Sequence, residues 1–299
     1  MPSPSSRGLR RAQPWLGTIV EIVLPEAGAR EEEATRAAFA EIAEVQRRMS
    51  FHDPASMLSR INREAAHVVV PVDEWTLAVL QAAAELHRIS GGLFDITVAP
   101  QLQERGHLPG PRPVGPGGSF ADVELVSGDG VRFRRPGMAL DLGGIAKGFA
   151  VDRAVDALRG AGVAAGLVNA GGDLRAFGVE AFAVSIRNPD RPGETLVEVP
   201  VKDEALATSA HYFSEGMAEG ATGPAIVFPP LIEPHPLPRS VTVRAPRALH
   251  ADALTKVVML DPEAAAPVLR HFGASAFFVS TDGELLCSED WNATLHVST

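Results

Sequence analysis

The chain has 299 residues, 45% hydrophobic and 21% charged, with a formal charge of −10, which leaves ample apolar material for a sizeable core. The acidic balance, with no long basic block, argues against non-specific nucleic-acid binding but leaves room for one locally positive anion pocket. A single cysteine, Cys287, excludes an intramolecular disulfide and a thiolate zinc site and reads as a small core residue; no apolar run reaches the roughly 18 residues of a membrane span.

Residues 1–13 are polar, carry Arg7, Arg10 and Arg11, and contain no apolar stretch of the kind a secretory signal needs. They read as a disordered tail, and for a complete chain the cytoplasm is the expected compartment. Residues 17–24 alternate as a half-buried strand. Residues 31–49 form an amphipathic helix with Ala38, Phe39, Ile42, Val45 and Met49 on one face. A turn-rich piece at 51–56 leads into a short helix bearing Leu58, Ile61 and Asn62. The next helix, 73–90, has Asp73 as its N-cap and Gly91-Gly92 as its stop. Residues 106–118 hold four prolines and five glycines and read as a flexible loop.

Strands are expected at 122–126, 130–134 and 139–141, then a helix at 146–161 and strands at 166–169, 182–186 and 195–201. A second Gly/Pro-rich flexible loop covers 216–238. The remainder reads as strand 240–245, helices 252–260 and 262–272, and strands 276–280 and 284–288. Strands and helices mix without βαβ alternation or repeats, so the expectation is one α+β domain over 1–299, with mixed sheets and flanking helices.

Five segments carry polar groups beside glycine or a helix start. Residues 140–148 (LDLGGIAKG) run from a strand end through Gly143 and Gly144 into a helix start bearing Lys147 and Gly148. Glycine lets backbone approach a ligand, helix-terminal amides favour an anion, and the lysine adds a charge. It is not a P-loop, for no G-K-[ST] occurs. A strand enters a glycine pair again at Asn169, Gly171, Gly172 and Asp173. Asp95 follows Gly91-Gly92, glycines that could simply end a helix. Thr208 and Ser209 form a hydroxyl pair at a strand end. In residues 250–256 (HADALTK), Asp252 reads locally as an N-cap paired with Lys256 at i,i+4. The nine histidines show no H-E-x-x-H spacing, and no G-x-G-x-x-G follows the first strand, which argues against an NAD(P) oxidoreductase.

Taken in order, the segments GTIVEI, MSFHDPASMLSRIN, GGLFDITVAP, DLGGIAKGFAVD, VNAGGDLRAFG, ALATSA and ADALTKVV resemble the FAD:protein FMN transferases, the ApbE family. The resemblance spans nearly the whole chain from about residue 17. It implies the ApbE-like α+β fold with FAD as substrate, Mg²⁺ on the diphosphate, and a Thr or Ser hydroxyl of an acceptor protein attacking the FMN-side phosphorus as AMP leaves. It further implies that the Gly144 carbonyl and the Asp252 carboxylate are metal ligands, and that Lys147 with the amides of Gly143, Gly144 and Gly148 faces the nucleotide. Asp95, Asn169, Gly171, Gly172, Asp173, Thr208 and Ser209 would line or brace the pocket, with Met49 and residues 56–62 along the dinucleotide. Asp252, Thr255 and Lys256 are the candidate catalytic residues. Relatives of this kind are often exported.

Two departures stand out. The family places a metal-binding threonine four residues after the aspartate; here that position is Lys256, with Thr255 one place early. A charged lysine has no lone pair to give a metal, so its ammonium could take the metal's place. The family's H-x-x-D-P-x-T-G segment corresponds to residues 216–223 (GMAEGATG), which keeps Thr222-Gly223 but has Gly216 where histidine is expected; His211 and His235 are candidates to compensate. Loss of a base slows attack by a neutral hydroxyl by about 10²–10⁴. The alternative to protein transfer is therefore a relative that binds or hydrolyses FAD, and the third reading is an unrelated dinucleotide-binding or structural protein.

Overall fold

The computed structural model describes residues 8–126, 129–210, 221–230 and 232–291, with the backbone of 296–297. The chain begins with an antiparallel hairpin, β1 (Leu9–Trp15) and β2 (Thr18–Leu24), in full register from Leu9↔Leu24 to Trp15↔Thr18. Residues 9–13 therefore belong to a strand rather than to a disordered tail. Only Leu9 of β1 is buried: an outer strand held by backbone hydrogen bonds carries no hydrophobic alternation, and Pro14 is tolerated at an edge.

Helix α1 (Ala29–Met49) buries the predicted stripe, Ala38, Phe39, Ile42, Val45 and Met49. Next come α2 (Met57–Glu64), capped by Ser56, the short β3 (Val70–Pro71) and α3 (Glu74–Ile89). The Asp73 carboxylate caps α3 by accepting from the Trp75 and Thr76 amides, as expected. After α4 (Ala99–Glu104) there is no helix or strand across 106–118, then β4 (Val123–Val126) and β5 (Gly130–Phe133).

The strand expected at 139–141 is absent. The Leu140 amide donates to the Asn62 side-chain oxygen (2.8 Å), the Asn62 side-chain amide donates to the Leu140 carbonyl (2.9 Å), and the Asp141 amide donates to the Ile96 carbonyl (2.8 Å). These partners satisfy the backbone without a ladder. Helix α5 (Ala146–Gly160) then leads to β6 (Gly166–Ala170), β7 (Asp173–Phe177), β8 (Phe182–Arg187), β9 (Thr195–Val201) and β10 (Ala205–Ala210). The described parts of 221–239 are likewise without helix or strand. They are strapped to the first Gly/Pro-rich loop: the Arg105 guanidinium donates to the Pro224 and Ile226 carbonyls, and His107 Nε2 donates to the Gly223 carbonyl at 2.9 Å.

The chain continues through β11 (Ser240–Ala245), α6 (Ala248–Leu260), α7 (Pro262–His271), β12 (Ser275–Val279), β13 (Leu285–Cys287) and β14 (His296–Val297). Every residue of β13 is exposed, Cys287 included. The core reading of this cysteine fails because β13 forms the outer edge of its sheet.

Among the described residues, eight strands form one antiparallel sheet in the order β1-β2-β6-β7-β10-β11-β12-β13, and two three-stranded sheets, β14-β9-β8 and β3-β5-β4, accompany it. Helices α1, α5 and α6 pack side by side, with α6 against β10 and β11. A smaller core on Leu174, Leu206, Val199 and Phe277 joins the large sheet to the β8–β9 sheet. The large sheet is thus apolar on both faces, an α+β architecture in which α5 and α6 lie over its middle strands.

Candidate functional site

Helices α5 and α6 touch at a glycine. A Cβ on Gly148 would lie 2.2 Å from the Ala248 carbonyl oxygen, so only glycine lets the two backbones meet there. Across this contact the buried Asp252 carboxylate accepts from the Gly148 amide through Oδ2 at 3.0 Å. Asp252 is therefore not the N-cap of its own helix, which starts at Ala248; it satisfies the first turn of α5 instead.

The other oxygen, Oδ1, faces two ammonium groups. Lys256, one turn on along α6, donates to Oδ1 at 2.5 Å and to the Asp252 carbonyl at 3.0 Å. Lys147, in the first turn of α5, lies 3.6 Å from Oδ1 and donates to Asp173 at the start of β7. Asp173 is positioned by the β6–β7 hairpin, whose two-residue turn is Gly171-Gly172 with φ of 66° and 107°. A turn positive at both positions calls for glycine, and Asn169 fastens it by accepting from the Gly172 amide at 2.9 Å.

A third carboxylate, Asp141, from the same motif as Gly143 and Lys147 but outside the sequence-based candidates, stands near this cluster. Asp141 accepts from the Gly143 amide, with the ammonium groups of Lys256 and Lys147 nearby. Crowding by protein pushes its carboxyl above the usual range against all of these. Burial acts on Asp252 in the same direction, but attraction to Lys147 and Lys256 outweighs it and holds Asp252 below the usual range. Asp173 is pushed up by burial and by repulsion from Asp252. Burial disfavours the Lys147 ammonium, yet Asp173 and Asp252 together raise it above an ordinary lysine. The result is a mixed-charge cluster at a helix N-terminus, where proton affinity depends on which neighbour is charged.

Thr255 joins the cluster from α6. Its hydroxyl donates to the Asp252 carbonyl at 2.7 Å, so the Ser209 hydroxyl, 2.8 Å away, must donate to Thr255. Thr208 does not join it. Successive residues of a strand point to opposite faces; Thr208 bonds Thr242 on β11 at 2.9 Å, on the face that carries Leu206 into the smaller core. Asp95 acts as a brace: it accepts from the Thr97 amide (2.8 Å) and hydroxyl (2.7 Å) and from the Phe120 amide (3.0 Å). Met49 is buried in the main core. His235 is engaged at the far end of α6, where Nε2 lies 2.8 Å from the Leu260 carbonyl. His211 and Gly216 lie outside the described residues.

Segments near 141–148, 169–173, 209 and 252–256 therefore converge although more than a hundred positions separate the first from the last. The ApbE family model matches residues 16–279. The chain is 28% identical to an FAD:protein FMN transferase of Treponema pallidum, over 94% of this chain and 87% of that one. It is 27% identical to an FAD:protein FMN transferase of Salmonella typhimurium, over 79% and 73%. The crystal structure of the ApbE protein from Thermotoga maritima matches with a TM-score of 0.82 at 26% identity, covering 94% of this chain and 97% of that one. A match of this extent, over the same segments that build the cluster, makes the chain a member of the ApbE family.

Proposed function

We infer that this protein binds FAD and transfers its FMN half to a Thr or Ser hydroxyl of an acceptor protein, releasing AMP. The carrying observation is the meeting of Lys147, Asp173, Asp252 and Lys256 beside the first turn of α5 in a chain whose curated relatives are FAD:protein FMN transferases. A helix N-terminus flanked by ammonium groups suits a diphosphate. Transfer forms a bond between the acceptor oxygen and the FMN phosphorus and breaks that phosphorus's bond to the bridging oxygen. AMP leaves with the bridging oxygen, and the hydroxyl proton passes to solvent or to the leaving phosphate.

The chemistry needs charge neutralisation and in-line alignment more than covalent help. Lys147 is the candidate for holding negative charge at the diphosphate, and Asp252 for positioning both ammonium groups. Gly143 and Gly144 leave room for the Asp141 carboxylate and the Lys256 stem at the start of α5. The hydrogen bond between Thr255 and Ser209 ties the middle of α6 to β10.

The Mg²⁺ that the resemblance implies would rest on the Gly144 carbonyl and the Asp252 carboxylate. The donor set does not fit it. Lysine stands where the resemblance expects a third oxygen ligand, and its ammonium engages both Asp252 Oδ1 and the Asp252 carbonyl. A hard divalent ion takes oxygen ligands, whereas an ammonium offers only donors.

The test is mass spectrometry after incubation with FAD and a panel of Thr- and Ser-bearing acceptor peptides. A gain of one FMN on a peptide is expected. Release of FMN and AMP with no labelled peptide would replace transfer by hydrolysis, and intact FAD in every reaction would defeat both.

A further inference from the structure

We propose that Lys256 is the built-in cation of this site: its ammonium contacts the FAD diphosphate directly, in place of a divalent ion, so that FAD binding is independent of metal. The proposal deepens the function inferred above and rests on it.

The geometry around Lys256 supports this from three sides. Its side chain is mostly buried, with 20% of its surface exposed, and the stem runs over Gly144: a Cβ at that glycine would lie 3.3 Å from Lys256 Cε and 3.8 Å from Cδ. The stem therefore fills the space between residue 144 and Asp252, the two positions to which the resemblance assigns the metal. At its tip, the ammonium spends two hydrogen bonds on Asp252, one to the carboxylate and one to the carbonyl. Three donors are available on an ammonium, so one stays free for a phosphate oxygen.

Lys147 completes the arrangement. It lies 3.6 Å from the same Asp252 Oδ1, so two fixed positive charges converge on one carboxylate oxygen. A divalent ion binding that oxygen would have to displace the Lys256 ammonium from it, and the repulsion of both ammonium groups offsets the attraction of the carboxylate. The neutralising role assigned to a metal is thus divided between two lysines, one on each helix of the α5–α6 pair. Gly144 belongs to the same design: without a side chain it leaves room for the lysine stem.

Two measurements test this on the intact protein. In the first, FAD is titrated against wild-type protein by quenching of flavin fluorescence, in EDTA and in about 5 mM MgCl₂. The affinities are expected to agree within about twofold. Tightening by about tenfold or more with Mg²⁺ would overturn the proposal while leaving the inferred function intact. Absence of FAD binding under both conditions would overturn the function and this proposal with it.

In the second, MnCl₂ alone is added to nucleotide-free protein and the signal of free Mn²⁺ is followed by electron paramagnetic resonance. Wild-type protein is expected to leave that signal unchanged at equimolar concentrations near 0.1 mM. Stoichiometric loss of the signal with wild-type protein that Asp252→Asn abolishes would overturn the proposal. Lys256→Thr, which restores an oxygen at this position, is expected to bind FAD at least about tenfold more weakly in EDTA and to recover with Mg²⁺. Lys256→Arg keeps the charge and is expected to retain metal-independent FAD binding. A folded Lys256→Thr protein that binds FAD in EDTA as tightly as wild type would contradict the assignment.

Discussion

Asp152 and Asp252 reach across the α5–α6 contact in opposite directions, each satisfying the first turn of the other's helix. Asp252, on α6, accepts from the Gly148 amide of α5 at 3.0 Å. Asp152, on α5, accepts from the Ala248 and Leu249 amides of α6 at 3.1 Å each, and from the Arg175 guanidinium at 2.8 Å. Both carboxylates are fully buried. The exchange ties the first turns of the two helices together.

Only one of these aspartates belongs to the charged cluster, which separates stability from function. Asp152→Asn keeps the size of the side chain but removes the charge opposite Arg175 and part of the cap. A loss of about 2–4 kcal/mol in urea denaturation is expected, with FAD affinity of the folded protein within about twofold of wild type. A large loss of FAD affinity without a stability change would contradict this division.

Gly148→Ala tests the close approach directly. Alanine raises helix propensity by about 1 kcal/mol relative to glycine, so a merely local effect would stabilise. A Cβ 2.2 Å from the Ala248 carbonyl oxygen instead forces the helices apart, and a net loss of about 1–3 kcal/mol is expected, with weaker FAD binding. Thermal denaturation checks the sign.

Lys147→Met should show a defined pH dependence. The folded-state pKa of Lys147 is raised by Asp173 and Asp252 against the opposing effect of burial. Its contribution is therefore complete below the unfolded lysine value near 10.4 and declines as pH rises above it. Lys147 keeps 33% of its side-chain surface exposed, so the cost of the substitution at pH 7.5 is about 1–3 kcal/mol, below that of a fully buried pair. Urea melts at pH 7.5 and at about pH 11 should show the gap between variant and wild type narrowing. A gap that widens would contradict the ion-pair origin.

Thr208→Val and Ser209→Ala remove neighbouring hydroxyls from opposite faces of β10. Thr208→Val leaves Thr242 without its partner and should cost about 0.5–1.5 kcal/mol with FAD binding unchanged. Ser209→Ala removes the donor to the Thr255 hydroxyl, which keeps its own bond to the Asp252 carbonyl, and should weaken FAD binding by a few fold. Paired titrations of the two variants check the contrast, and equal effects on FAD would contradict the assignment of faces.

Much of this was legible in the letters. Helices α1, α3 and α5 announce themselves by apolar period, and strands β9 and β11 by their boundaries, because their buried faces select residue type. Strand β1 was not legible: an edge strand such as LRRAQPW is held by backbone pairing with β2, which leaves no trace in side-chain pattern. Residues 139–141 look like a strand because Met138, Ala139 and Leu140 are buried, while their hydrogen bonds go to Asn62 and Ile96. Asp252 reads as a local cap because a sequence shows only its own helix; that it serves α5 is a tertiary fact. The same limit hid Asp141, and it concealed that Thr208 and Ser209 part company. What pointed to the site was the order of glycine-bordered segments along the chain, and the departure at Lys256 was visible from one position.

The central claim is that the cluster around Lys147, Asp252 and Lys256 holds the pyrophosphate bridge of FAD. Isothermal titration calorimetry of wild-type protein and of Asp252→Ala with FAD, up to about 1 mM, tests it most directly. Saturable heat with the wild type, reduced by about tenfold or more in affinity for a variant that remains folded by circular dichroism, is the predicted result. No heat with the wild type, or equal affinity for the two proteins, would contradict it.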